Sequence, residues 1–259
     1  VIAMLAIGEG ASLEAQQQIE QLGSKNIIIK SVKPPQENQA SAAGGFVLNY
    51  GLTYLDAERI RQNVPDVEVM VAARHVKSRV QHGRWQIDTQ VVGTVPWYPE
   101  VVKAVLVRGR FFGSLDMHGR RSVCVLGSLA EQRLFPMGGA MGSLVGVENK
   151  RYRVIGVLGT AARGDAGKTG AASDPDLNVY IPFTTMHTHY GETIVSFASG
   201  SISAERVELH EIIVQVEQLS QVNGAARVIR QILADAHEDQ DYQVIVPLRL
   251  LEQARETRR

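Results

Sequence analysis

Cysteine is nearly absent: Cys124, inside SVCVLG, is the only one in 259 residues. A single cysteine excludes an intrachain disulfide and any multi-cysteine metal site. In a strand-like apolar run it reads as a small buried hydrophobe. A surplus of one charge sign is also missing, with 27 Lys+Arg against 27 Asp+Glu. Proteins that neutralise phosphate normally carry a basic excess, so nucleic acid is excluded as a partner. No stretch approaches the roughly 18 consecutive apolar residues of a membrane-crossing helix. The opening VIAMLAI is too short to span, and it lacks the basic flank and cleavage site of a secretory signal.

Catalytic and cofactor signatures are missing as well. There is no G-x-S-x-G elbow and no H-E-x-x-H helix. GDAGKTG (164–170) imitates a phosphate-binding loop, but the first glycine of that motif would fall at position 162, which holds Ala162. The residues after Thr169, GAASDPD, cannot form the apolar helix that the motif opens. Lys168 therefore reads as part of a surface loop. His187 and His189 form an H-x-H pair, but on a helix these positions point apart, and no third zinc ligand suggests itself. Ser128 in LGSLAE reads as a helix cap rather than a nucleophile, and Asp239 and Asp241 in HEDQD read as solvent-facing. No catalytic, cofactor-binding or metal-binding residue is assigned, and the chain is expected not to be an enzyme.

What is present is a mixed pattern with 44% apolar and 21% charged residues, ordinary for a globular protein. NIIIKSV (26–32) predicts a strand. Thr53 is placed to cap the helix LDAERIRQNV, with Leu55, Ile60 and Val64 on one side. VEVMVAARHVKSRV and WQIDTQVVGTV alternate and are joined by QHGR, which predicts an antiparallel hairpin. Trp97 and Tyr98, between two prolines, are read either as an exposed contact for a partner or as rings covering a junction between two domains. VLVRGRFF leads into RRSVCVLGSLAEQRLF, a strand then a helix, and SLVGVENKRYRVIGVLG predicts a second hairpin turning at Glu148–Asn149. NVYIPF is a strand, and TTMHTHYG a short helix or turn. ISAERVELHEIIVQVEQ is read as one strand, VNGAARVIRQILADAH as a helix and QDYQVIVPL as the last strand. Residues 34–51 and 160–176 are Gly-, Ala- and Pro-rich loops.

The order predicts an α+β fold: a split α/β sandwich over 26–104 and 205–247, with a β-rich part inserted at 105–204. Two helical segments, 1–25 and 248–259, flank it. VIAMLAI is either a core helix or the end of a membrane helix continued by the solvated GEGASLEAQQQIEQLG.

VIAMLAIGEGA (1–11), QIEQLGSKNIII (18–29), VRGRFF (107–112), RSVCVLGSLAEQRLF (121–135), YRVIGVLG (152–159), NVYIPFTTM (178–186) and YQVIVPLRLLEQARETRR (242–259) occur in the order found in one family. The chain resembles the extracytoplasmic core domain of MacB/FtsX-type ABC transporter permeases, the MacB-like macrolide-exporter type in particular. The resemblance implies stalk helices leading from a first and toward a second transmembrane helix. It also implies a porter-like sandwich and an inserted Sabre-like subdomain on the periplasmic side of the bacterial inner membrane. The partners it implies are a cytoplasmic ABC ATPase domain or subunit, a second permease copy in a dimer, a membrane-fusion adaptor, and the membrane itself. It implies no cofactor. FtsX-like and lipoprotein-releasing roles remain alternatives, as does a freestanding periplasmic binding or hydrolytic protein.

Overall fold

The computed structural model describes residues 25–34, 47–160, 174–191, 193–198, 201–237 and 240–247. The expected flanking helices over 1–24 and 248–259, and the GDAGKTG loop, lie outside the described residues. In chain order the elements are β1 (Asn26–Ser31), β2 (Val47–Asn49), α1 (Tyr54–Asn63), β3 (Val67–His82), β4 (Trp85–Thr94), α2 (Tyr98–Val101) and β5 (Ala104–Gly109). They continue with α3 (Ser114–His118), β6 (Val123–Gly127), α4 (Ser128–Leu134), β7 (Leu144–Val147), β8 (Lys150–Thr160) and, after a 3-10 turn at Pro175–Leu177, β9 (Val179–Pro182). The last are α5 (Phe183–Tyr190), β10 (Thr193–Ala198), β11 (Ser201–Arg206), β12 (Glu211–Val216), α6 (Val222–Ala236) and β13 (Tyr242–Ile245).

Nine strands run in the order β13-β1-β12-β3-β4-β9-β6-β8-β5 in one sheet, and the tenth, β7, pairs with both β3 and β8. Its pairs are antiparallel except β4 with β9 and β6 with β8. The 16-residue β3 binds β12 through its first half and β4 through its second, so one long strand ties the two ends of the sheet together. A separate three-stranded sheet, β10-β11-β2, lies apart from it. The hairpins at 67–94 and 144–160 match the sequence expectation, the second turning at Glu148, whose φ is +52°.

Strand alternation sorts the core onto two faces. One face carries Ile27, Ile29, Ile212 and Val214 under α1 and α6, and further along Val76, Val80, Ile87 and Val91 under α4 and α5. The opposite face carries Ile28, Ile213, Val71, Ala73 and Val92, which share a third cluster with Tyr98, Val123, Val125, Leu158 and Tyr180. Cys124 is fully buried, and burial pushes its thiol up, as expected of a packing residue.

Three local expectations need correction. Leu55 is 56% exposed, whereas Ile60 and Val64 are buried. At 3.6 residues per turn, positions 55 and 60 lie well apart around the helix, and it is Asp56 that shares a face with Ile60. Thr53 does cap α1: its hydroxyl accepts from the Asp56 N–H at 3.2 Å, and the Asp56 carboxylate accepts from the Thr53 N–H at 2.8 Å. Ser128 does not cap α4; it is the first helical residue, Gly127 holds the cap position, and no side chain bonds there. ISAERVELHEIIVQVEQ forms two strands in different sheets rather than one, because Val207 and Leu209 turn inward as buried residues between β11 and β12.

Candidate functional site

The second face of the large sheet is incompletely covered, and a cleft of about 650 Å³ opens there. Its floor comes from alternate residues of adjoining strands: Asn26, Ile28 and Lys30 of β1, Glu211 and Ile213 of β12, His75 of β3 and Gln90 of β4. The far wall comes from Asp176, Asn178 and Tyr180, with Leu158 and Gly159 of β8. Tyr98 and Val102 close one side.

Polar groups concentrate on the floor because register puts them opposite one another. Lys30 and Glu211 are direct cross-strand partners, and their charged ends lie 3.7 Å apart. His75 Nε2 lies 3.5 Å from the other Glu211 oxygen. Burial opposes the charge on Glu211, yet the His75 hydrogen bond and the two nearby positive charges hold its carboxyl below the usual range. His210 meets His75 edge to face, with ring centroids 5.9 Å apart. Burial, followed by the positive charges of His75 and Arg74, pushes His210 down to about 3, so it is neutral at physiological pH.

The rings of Tyr98 and Tyr180 lie 5.6 Å apart, and burial pushes both hydroxyls up. Tyr98 is buried at 9% exposure and packs in the third core cluster while its edge lines the cleft. Trp97 is 37% exposed while its indole N–H donates to the Met70 carbonyl at 2.9 Å.

The cleft has few candidate nucleophiles among its described residues. Ser31 is the one serine, threonine or cysteine among its described lining residues. Its hydroxyl donates to the Leu209 carbonyl at 2.6 Å and accepts from the Leu52 N–H at 2.9 Å, which leaves no base to activate it. Among the described residues no group of three His, Cys, Asp or Glu is placed to share a metal ion.

The residues singled out from sequence fall elsewhere. His187 faces the Tyr54 ring at 6.3 Å, and His189 accepts or donates at Tyr152 Oη, 2.7 Å from its Nδ1, so the two rings diverge. Asp239 lies outside the described residues. Asp241 is not solvent-facing as expected: it is 8% exposed, accepts from the Gly51 N–H at 2.5 Å, and lies 2.8 Å from His237 Nδ1. The reason is that β13 lies against β1 and draws its N-terminal approach under the Gly51 turn. The cleft residues His75, His210 and Glu211 carry no local motif; only strand register unites them.

The neutral His210 makes stability depend on pH. Its folded pKa lies below its unfolded one, so the unfolded chain takes up the proton first as pH falls. The associated stability is complete above the unfolded value and is lost progressively below it. Between pH 6.5 and pH 5 the loss is about 2 kcal/mol. Urea unfolding at both pH values should show a shallower pH dependence for His210→Gln by that amount. An identical pH dependence would contradict the buried neutral imidazole.

The domain-family model described as the MacB-like periplasmic core domain matches residues 1–232. The macrolide export ATP-binding/permease protein MacB of Syntrophobacter fumaroxidans is 30% identical over 232 residues, covering 88% of this chain and 31% of that protein. The MacB of Rhodospirillum rubrum is 28% identical, covering 99% of this chain and 36% of its own length. The pyoverdine export ATP-binding/permease protein PvdT of Pseudomonas syringae is 25% identical, covering 94% and 33%. The chain thus spans about a third of the length of these relatives. Among solved structures, the periplasmic region of MacB from Actinobacillus actinomycetemcomitans shares the fold with a TM-score of 0.65 at 17% identity, covering 94% of this chain and 98% of that one. The extracellular domain of the Gram-positive transporter YknZ does so with a TM-score of 0.60 at 19% identity, covering 85% and 99%. These are transporter-permease domains rather than members of a catalytic family. This chain belongs to the MacB-like periplasmic core domain family.

Proposed function

We propose that the chain is the periplasmic part of an ABC transporter permease that transmits ATP-driven motion and expels periplasmic substrates. The observation that carries this reading is the placement of β1 and β13. They are antiparallel neighbours, with Ile28 opposite Ile245 and Ser31 opposite Tyr242. The chain therefore enters β1 at Asn26 and leaves β13 beyond Ile245 at the same end of the sheet. Both flanking segments start side by side, as a domain standing on two membrane helices requires. The start of β1 is held by the Lys25 ammonium, which donates to the Glu217 carbonyl at 2.7 Å, and by the Val216 N–H, which donates to the Lys25 carbonyl at 3.2 Å. Motion delivered at that end passes into β12 and the long β3, and so to the far end of the sheet.

In this reading residues 26–104 and 205–247 form the porter-like subdomain and 105–204 the Sabre-like insertion. Residues 1–25 and 248–259 are stalks to the first and second transmembrane helices in the inner membrane. ATP is hydrolysed by a cytoplasmic ABC domain or subunit, two permease copies act as a dimer, and a membrane-fusion adaptor receives the cargo for an outer-membrane duct. The test replaces residues 26–247 in the full-length transporter by a flexible linker. ATP hydrolysis should continue while export falls to background. Export would be followed as macrolide resistance and pyoverdine secretion, the cargoes in the relatives' names. Undiminished export would overturn the reading.

A further inference from the structure

β5 is the last strand of the large sheet, and among the described residues its ladder has one partner, β8. Its outer edge therefore presents a row of backbone N–H and C=O groups. Sheets commonly guard such an edge with Lys, Pro or an inward-pointing charge. This one carries Val105, Leu106 and Val107 in succession, 51%, 41% and 55% exposed.

A chain of contacts sets a basic patch at the C-terminal end of the same strand. The Arg110 N–H donates to the Ile155 carbonyl at 3.0 Å, and Arg110 and Arg121 share the buried Asp116 carboxylate at 2.6 and 3.5 Å. The Arg153 N–H donates to the Ser122 carbonyl beside Arg121, and its guanidinium donates to the Gly142 carbonyl at 3.2 Å. Met141 closes the circuit: a Cβ built on Gly109 would sit 2.5 Å from its Cε. The Arg110 and Arg121 side chains stay 54% and 61% exposed, and Arg153 is exposed too. One carboxylate thus faces three guanidinium groups. The excess is regional, since residues 103–160 hold nine Lys and Arg against three Asp and Glu in a chain that is balanced as a whole.

We propose that the outer edge of β5 is a docking site for an extended, acidic segment of another protein, which adds a strand to the sheet and lays its carboxylates on Arg110, Arg121 and Arg153.

The free backbone row selects an extended chain, because a ladder supplies hydrogen bonds whatever the side chains are. Apolar side chains of that segment cover Val105–Val107 and remove them from water. The charge excess selects acidic residues and speeds their encounter with the edge. It also selects against a second copy of this chain, since pairing β5 with itself would bring two such basic regions together. Docking needs only this domain, so its failure is distinct from failure of the transport reading.

The probes are the fluorescein-labelled peptides DEVTVSV and VSVTVED, which carry the acidic pair at opposite ends and so serve either strand direction. They would be added to the purified 259-residue chain and followed by fluorescence anisotropy. Saturable binding of one of them is expected, weakened about tenfold when lysines replace its acidic pair. The pair Val105→Lys and Val107→Lys alters exposed side chains and adds positive charge, yet should weaken binding about tenfold by guarding the edge. The pair Arg121→Glu and Arg153→Glu should weaken it about fivefold. Melting temperatures of both double variants check that the fold is intact. No saturable binding of either peptide would overturn the proposal. Tighter binding by the lysine pair would also overturn it, leaving plain charge attraction. A dimer of the parent chain in sedimentation, dissolved by the lysine pair, would overturn it by seating a second copy on β5.

Discussion

Asp56→Ala is expected to lower stability by about 3 kcal/mol, because it removes a helix cap and leaves buried hydrogen-bonding groups of Thr53 and His237 without their partner. In a domain of this size that corresponds to a fall in melting temperature of roughly 10 °C. Asp56 is 2% exposed and links two helices. Its Oδ2 accepts from the N–H and hydroxyl of Thr53 at the start of α1, and lies 3.1 Å from His237 Nε2 at the end of α6. The other His237 nitrogen faces Asp241, whose second oxygen accepts from the Gly51 N–H. His237 packs between the two carboxylates, so removing Asp56 takes away both the partner of the α1 cap and one of the imidazole's two neighbours. Thr53→Ala separates the contributions, because it removes the cap alone and should cost about 1 kcal/mol. Thermal unfolding of both variants checks the account, and equal losses would show that the His237 cluster contributes nothing.

The second large effect is expected at Gly127, where β6 gives way to α4. A Cβ built there would sit 2.3 Å from the Asp176 carbonyl oxygen and 2.5 Å from its carbon. Both are backbone atoms, so no side chain can swing aside. Gly127→Ala must push the Pro175–Leu177 turn off the end of β6, at a cost of about 3 kcal/mol. That turn accepts from Tyr180 Oη through Pro175 O and from Thr89 Oγ1 through Leu177 O, and it supports the Asn178 wall of the cleft. Gly224→Ala is the control: a methyl there meets nothing within 4 Å, and the helix should gain about 0.5–1 kcal/mol. Denaturant midpoints measure both. If the two alanines behave alike, the close approach at Gly127 is not a constraint.

What could be read from sequence was whatever a short window encodes. β1, the two hairpins, α6 and the Thr53 cap each follow from period-2 alternation, helical spacing or turn chemistry within about fifteen residues. The run ISAERVELHEIIVQVEQ went wrong because the switch between sheets is decided by burial of Val207 and Leu209 against distant partners, and alternation carries no sign of it. Asp241 was misjudged for the same reason: HEDQD has a solvent-facing composition, but Gly51, 190 positions away, supplies the bond that buries it. The cleft was invisible, since Lys30, His75 and Glu211 meet only when β1, β12 and β3 are in register. The family resemblance was legible because it rests on the order of seven short stretches across the whole chain rather than on any site.

The claim that motion enters at the shared end of β1 and β13 is tested most directly in the full-length transporter by a glycine pair at Gln17 and Gln18. The sequence predicts an unbroken solvated helix there, and two glycines cost it about 2 kcal/mol of helix propensity. ATP hydrolysis and export are measured side by side at matched expression. The account predicts normal hydrolysis with reduced export, because a softened stalk bends instead of moving the domain. Export at the wild-type level would contradict it and leave the segment before β1 as a tether.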